Sequence, residues 1–381
     1  MRIYLDHNAT VPLRPAAVEG MRAAFEECAG NPSSPHAEGA RARATLERAR
    51  AQVAACIGAL PQEIVWTSGA TEANNFALFG AAKARGTRGR HIVTSALEHP
   101  SVLRPLARLE QEGWEVTYVA VDGEGLIDPE VLLAAVRRDT VLVSLLWANN
   151  ETGVIQPVAE IAGGLAERGV PLHLDATQAL GKLVIDTALL PAAWISASAH
   201  KLGGPTGSGF LYARRGLALE PLLHGGPQER GLRGGTENTL GAVGTAAAVC
   251  AVSSERAAAM ARDAALRDRL WQGILEKIPA LRRNGSEVHV LANTLNVEFV
   301  AAPGDILLQA LDLEGIAASS GSACASGSIE ASHVLLAMGR TPEQARCSLR
   351  FSVGPEVGEA EIEHVLRVLP DLVARVRRCT A

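Results

Sequence analysis

The chain has 381 residues, a formal net charge of -5, and 48% hydrophobic against 20% charged residues. That length allows more than one packed core, and the composition excludes the disordered and collagen-like classes. Its 36 Lys and Arg are dispersed rather than gathered into a basic stripe, which speaks against a nucleic-acid partner.

The opening residues, Met1-Arg-Ile-Tyr-Leu-Asp6, carry no signal-peptide core, and no apolar run is long enough to span a bilayer. A cytoplasmic protein with no membrane partner is expected. The six cysteines, Cys28, Cys56, Cys250, Cys324, Cys347 and Cys379, contain no C-x-x-C pair, so neither a disulfide framework nor a metal site is expected. Along the chain, residues 37–57 form an Ala/Arg/Glu-rich helix. From residue 63 to 213, short apolar runs predict seven strands, at 63–67, 91–95, 116–121, 140–147, 171–174, 194–198 and 209–213. Helical patterns fall between them at 71–84, 100–112, 129–137 and 158–168. Such alternation predicts an α/β fold with a mostly parallel sheet covered on both faces. A Gly-rich stretch at 225–235 precedes a long helix at 239–278. The remainder predicts strands at 288–291, 295–299 and 348–353, and helices at 304–313, 332–338 and 359–377. It reads as a smaller α+β domain. Residues 15–250 are assigned to the large domain, and 1–14 with 251–381 to the small one.

Ligands of open parallel sheets bind beyond the carboxyl ends of the strands, and here those ends carry polar residues. The first strand runs into Ser68-Gly-Ala70-Thr71-Glu72 at a helix start, where backbone N–H groups and a hydroxyl suit phosphate; Thr71 also suits an ordinary N-cap. Later ends carry Glu98-His99, Asn149-Asn150, Asp175 with Gln178, and Ser198-Ala-His200-Lys201. A carboxylate after a buried strand needs a partner. Pyridoxal 5'-phosphate requires a Schiff-base lysine, a carboxylate for its pyridine nitrogen and donors for its phosphate. Lys201 and Asp175 supply the first two. Gln178 suits the ring hydroxyl, His99 the ring face, and Thr71, Ser198 and His200 the phosphate. The stretch Gly203–Gly209 lacks the Lys-Ser/Thr ending of a P-loop, and no G-x-G-x-x-G follows the first strand.

These residues stand in segments that resemble the cysteine desulfurases of the NifS/IscS type, class-V aminotransferase-like enzymes of fold type I. The resembling segments include Tyr4-Leu-Asp-His-Asn-Ala-Thr10, Thr67-Ser-Gly-Ala-Thr-Glu-Ala-Asn-Asn75, Glu98-His-Pro-Ser-Val102 and Asn149-Asn-Glu-Thr-Gly153. They continue through His173-Leu-Asp-Ala-Thr-Gln-Ala179, Ser198-Ala-His-Lys-Leu-Gly-Gly-Pro205, Gly234-Gly-Thr-Glu-Asn238, Ser319-Ser-Gly-Ser-Ala-Cys-Ala-Ser326 and Ser348-Leu-Arg-Phe-Ser352. The resemblance implies a fold-type-I transferase with a seven-stranded sheet and pyridoxal phosphate on Lys201. Ala70 falls at the phosphate-binding helix start. It further implies that Thr236 reaches the partner's phosphate in a homodimer, that Asn150 lies near cofactor and substrate, and that Arg350 clamps the substrate carboxylate. One departure is His7, where the family usually has Asn.

The cofactor set alone fits an aminotransferase, a lyase or a decarboxylase. Cys324 separates these, because it sits among small residues in an arm at about 319–331 that is expected to be mobile. The resemblance implies that L-cysteine is the substrate and that Lys201 removes its Cα proton. The Cys324 thiolate then attacks the substrate sulfur, giving a Cys324 persulfide and L-alanine, with His99 moving protons. An iron–sulfur scaffold or another thiolation acceptor would take the sulfur. The competing readings are a selenocysteine lyase, another enzyme of the same fold, and a catalytically silent sulfur carrier or scaffold-binding protein.

Overall fold

The chain enters through β1 (Ile3–Tyr4) and two helices, α1 (Pro15–Glu27) and α2 (Ala37–Cys56), before the strand-helix alternation begins at β2 (Ile64–Thr67). It continues through α3 (Ala70–Arg85), β3 (His91–Ser95), α4 (Pro100–Gln111), β4 (Glu115–Val119), α5 (Pro129–Ala135), β5 (Thr140–Leu146), α6 (Val158–Glu167), β6 (Leu172–Asp175), β7 (Trp194–Ser198) and β8 (Gly209–Ala213). Next come α7 (Thr239–Lys277), β9 (Leu281–Asn284), β10 (Thr294–Phe299), α8 (Gly304–Leu313) and β11 (Ile316–Ala317). The last elements are α9 (His333–Ala337), α10 (Pro342–Arg346), β12 (Ser348–Ser352) and α11 (Glu359–Thr380). The computed structural model describes residues 2–28, 30–320 and 331–380.

The large sheet has seven strands in the order β2-β8-β7-β6-β5-β3-β4. β8 runs antiparallel to both its neighbours, and the other pairings are parallel. Central strands such as β5 are buried at every position, as expected where helices cover both faces. The edge strand β4 instead exposes Glu115 and Tyr118, which discourages pairing with another chain. Residues of α2, α6 and α7 pack on one face, and α3 and α4 on the other. Within the described residues no helix is long and apolar enough to cross a membrane.

The predicted strands and helices of the large sheet recur to within about two residues at each end. Two differences stand out elsewhere. Helix α1 was not anticipated, and the small sheet, ordered β12-β10-β9, uses 281–284 as its edge rather than 288–291. Residues 288–291 bond instead to the turn after β5, through Ile155 N–H to His289 O and Leu291 N–H to Gly153 O. The apolar run marked a real contact but not the sheet; the charged edge Leu281-Arg-Arg-Asn284 masked the real strand.

A second core joins Ile3 and Leu5 to α8, β10, β12 and α11. Helix α7, 39 residues long, contributes Ala242 to Val252 to the first core and Leu266 to Ile274 to the second. Between β2 and the turn before α7, Arg50 makes two hydrogen bonds of 2.7 Å to the Glu229 carboxylate, both side chains being fully buried. Glu229 also accepts from Trp66 N–H and Arg50 donates to Ile64 O, so the pair carries the extra hydrogen bonds that a buried ion pair needs.

Candidate active site

The carboxyl ends of β2, β3, β5, β6 and β7 open onto one cavity of about 570 Å³. Ala70, Thr71, His99, Asn150, Asp175, Gln178, Ser198, His200, Lys201 and Arg350 all line it. Positions from Ala70 to Lys201 therefore meet because strands of one sheet end at one edge, and Arg350 joins them from β12 of the small sheet.

The start of α3 has no side-chain cap. Its N-cap is Gly69 at φ 146, a conformation for glycine, and not Thr71, which sits inside the first turn. A side chain at Gly209 would strike Ala197 O at 2.4 Å and Gly69 at 2.7 Å, so two glycines let β8 lie against this turn. The result is a helix N-terminus facing the cavity beside the Thr71 and Ser198 hydroxyls, ready for an anion.

One hydrogen-bond network fixes the central groups. Asp175, 2% exposed, accepts from Asn74 Nδ2 at 2.7 Å and from Thr177 N–H at 2.9 Å. The same Asn74 nitrogen donates to Ser101 Oγ at 2.9 Å, which leaves the Ser101 hydroxyl hydrogen for His99 Nδ1, 2.7 Å away. The Ser101 N–H also points to His99 Nδ1, at 3.1 Å. His99 thus caps α4 with Nδ1 and keeps its proton on Nε2. Burial pulls its pKa below the ordinary histidine value, with Lys201 and His333 adding to the effect and Asp175 opposing it, so the neutral ring prevails at pH 7. Burial and Lys201 pull His200 down to about 4. Neither Asn74 nor Ser101 was assigned a role from sequence, although a fully buried Asn in an Ala/Phe/Leu helix face was a visible signal.

Lys201 follows β7 in a single 3-10 turn, Ala199–Lys201, and its Nζ donates to Asn8 O and Ala9 O, each at 2.8 Å. Arg350, 2% exposed, donates from Nη2 to Asp6 Oδ1 at 2.6 Å and from Nη1 to Asn150 O at 2.8 Å. Its buried Nε has no hydrogen-bond partner among the described residues. His7, the departure from the family pattern, turns away from this cavity: Nδ1 lies 3.1 Å from Ser352 O and Nε2 2.9 Å from Glu356 Oε2.

Residues 3–365 match the family described as aminotransferase class-V. This chain belongs to the class-V aminotransferase family. Among relatives of this class-V aminotransferase, a cysteine desulfurase IscS of Dictyoglomus turgidum is 41% identical over 375 residues, covering 98% of this chain and 95% of the relative. A solved NifS-like protein matches at 36% identity with a TM-score of 0.93, over 98% of this chain and 100% of that one. A structure described as SspA in complex with cysteine matches at 36% identity and a TM-score of 0.83, over 93% of this chain and 99% of that one. The architecture is thus that of fold-type-I enzymes, whose cofactor is pyridoxal 5'-phosphate.

The residues present fit that cofactor. Each of its chemical demands meets a different group: an amine at Lys201, a buried carboxylate already hydrogen-bonded at Asp175, an uncapped helix start for the phosphate, and an aromatic face at His99. A second indication is Arg350, a guanidinium suited to a carboxylate ligand, in the wall of the same cavity. Thr236 does not line the cavity; it is exposed on the loop before α7. Cys324 lies outside the described residues. The chain on either side of it is placed: Ser319 exchanges backbone hydrogen bonds with Arg350, and Ser332 Oγ donates to Glu151 Oε2 at 2.5 Å.

Proposed function

We propose that this chain is a cysteine desulfurase, which removes sulfur from L-cysteine as a persulfide on Cys324 and releases L-alanine. The observation that carries the reading is the convergence of Lys201, the Asn74-supported Asp175 and Arg350 on one cavity. When bound, pyridoxal phosphate supplies an electron sink for negative charge developing at the substrate Cα. Asp175 supplies the negative charge that keeps the ring nitrogen protonated. The α3 start with Ala70, Thr71, Ser198 and His200 holds the phosphate, and Gln178 holds the ring hydroxyl. Arg350 takes the substrate carboxylate, with Asn150 beside it. Lys201 Nζ removes the Cα proton. His99, with Nδ1 committed to Ser101, offers its Nε2–H as a donor. Base behaviour at Nε2 requires the other tautomer, in which Nδ1–H donates to Ser101 Oγ and the cap bond from Ser101 N–H is given up. The Cys324 thiolate attacks the substrate sulfur, forming an S–S bond as the Cβ–S bond breaks. The described flanks of its segment support this role, because Ser319 pairs with Arg350 and His333 Nε2 lies 3.0 Å from Glu98 O, beside His99.

The functional unit is a homodimer in which Thr236 serves the partner's phosphate site. Its exposed position outside its own cavity supports that reading, as do Val18 and Phe25, seven residues apart on α1 and 47% and 74% exposed. Residues 15–250 form the large domain and 1–14 with 251–381 the small one. The free thiols at Cys28, Cys56, Cys250, Cys347 and Cys379 fit the reducing cytoplasm. The sulfur passes to an iron–sulfur scaffold or another thiolation acceptor.

The test supplies the cofactor-loaded protein with L-cysteine and a reductant and follows sulfide and alanine together. Equal release, abolished in Lys201→Ala and Cys324→Ser, is expected. Keto-acid formation without sulfide overturns the proposal.

A further inference from the structure

Gln178, which the cofactor reading assigns to the ring hydroxyl, is not held by the cavity alone. The turn after β6 returns on itself, with Leu180 N–H bonded to Ala176 O and Lys182 N–H to Ala179 O. Gly181, at φ +79, completes it; a side chain there would meet Val252 of α7 at 2.8 Å. This geometry brings Gln178 and Lys182 to the same side, and Lys182 Nζ donates to Gln178 Oε1 at 2.7 Å. The ammonium form of Lys182 can only donate, so in that form Oε1 must face it. The amide nitrogen is thereby committed to the opposite side, where one hydrogen goes to Asn8 O at 2.9 Å and the other remains for a ligand of the cavity. Asn8 O also accepts from Lys201 Nζ, so the two lysines are joined through Gln178 and a single carbonyl.

Resting on the cofactor reading above, we propose that Lys182 is a positioning residue for the cofactor: it fixes the orientation of the Gln178 amide and places a positive charge one hydrogen bond behind it. Lys182 and Lys201 both line a second, smaller cavity of about 60 Å³. The charged groups around Lys182 are Lys201, Arg350 and Asp263, and the wall of that cavity adds His7, Arg14, Glu255 and Arg262. Burial, reinforced by Lys201 and Arg350 against the pull of Asp263, brings the Lys182 amine down to about 7. Its charge is therefore sensitive to what binds beside Gln178.

The test loads wild type, Lys182→Met, Lys182→Gln and Lys182→Arg with pyridoxal phosphate. It measures the cofactor dissociation constant, the pH midpoint of the visible absorption change, and kcat and KM for L-cysteine. Lys182→Met frees the amide to flip and removes the charge, so cofactor affinity should fall about 10-fold and the midpoint should rise by about one pH unit. Lys182→Gln keeps a neutral donor and should retain affinity while shifting the midpoint. Lys182→Arg should restore both. In Lys182→Met kcat falls while KM holds, because Arg350 still binds the carboxylate. A wild type that takes up the cofactor together with a Lys182→Met protein unchanged in affinity and midpoint overturns this inference alone. A wild type that never takes up the cofactor overturns the cofactor reading with it.

Discussion

Replacing Asn74 tests how far the Asp175 site depends on a residue that contacts neither substrate nor solvent. Asn74 is fully buried and spends its two N–H groups on Asp175 Oδ2 and Ser101 Oγ. In Asn74→Leu, a side chain of similar volume takes its place, so Asp175 keeps only the Thr177 N–H and no water can enter to substitute. A hydrogen bond to a charged group contributes about 1.5–3 kcal/mol, which corresponds to about 10- to 150-fold in cofactor affinity if the whole loss falls on the loaded state. The lower end is the expectation, since the empty site also loses the bond. Asn74→Ala leaves room for a bridging water and should cost less than Asn74→Leu. Cofactor titration followed by absorbance, with thermal melting of the empty protein as the control for folding, separates the two contributions. An Asn74→Leu protein that binds pyridoxal phosphate within twofold of wild type refutes the role given to this network.

Other consequences are equally direct. Arg50→Met strands the buried Glu229 carboxylate, and urea unfolding should show a loss of about 3–5 kcal/mol, partly recovered when Glu229→Met is added; a loss below about 1 kcal/mol contradicts the buried pairing. Burial pushes Glu98 up to about 8, so the folded chain keeps a proton that the unfolded chain releases above 4.5, and stability should decline as pH rises across that window. Glu98→Gln has no such proton to lose, so it should match wild type near pH 5 and melt several degrees higher near pH 8; parallel melting curves at both pH values count against it. Burial and the neighbouring Cys56 thiol push Cys250 up to about 11, leaving a thiolate fraction on the order of a ten-thousandth at neutral pH. Mass spectrometry after brief iodoacetamide treatment of the folded protein should find the exposed Cys379 alkylated long before Cys250.

Much of this was legible in the linear chain because the large sheet obeys simple patterning. Fully buried strands such as Thr140–Leu146 read as continuous apolar runs, and the polar groups that follow them had to be a site or a cost. What could not be read were relations between distant residues. Asn74 and Lys182 stood in plain view, yet only the fold shows one behind Asp175 and the other behind Gln178. Cys56 and Cys250, 194 residues apart, bring their sulfurs to 3.7 Å, a pairing no spacing rule announces. Nor does the linear chain show that the N-terminal segment takes part in the site, with the carbonyls of Asn8 and Ala9 on Lys201 and Asp6 on Arg350. His7, the departure from the family pattern, packs its ring on Gly354, where a side chain would come within 2.1 Å of it. Residues 281–284 were missed because an edge strand carrying two arginines looks like a loop.

Helix α7 has a mechanical consequence. Its 39 residues extend roughly 58 Å, and none of residues 253–262, midway between its two buried ends, is buried. That span is alanine-rich, has the Arg14–Glu255 ion pair as a side contact, and joins the two cores as a shaft does two bearings. Rotation at one end is transmitted to the other unless the shaft frays. Amide hydrogens along the span should accordingly exchange faster than those of the two packed ends, and a glycine pair at Ala257 and Ala258 would turn the shaft into a universal joint.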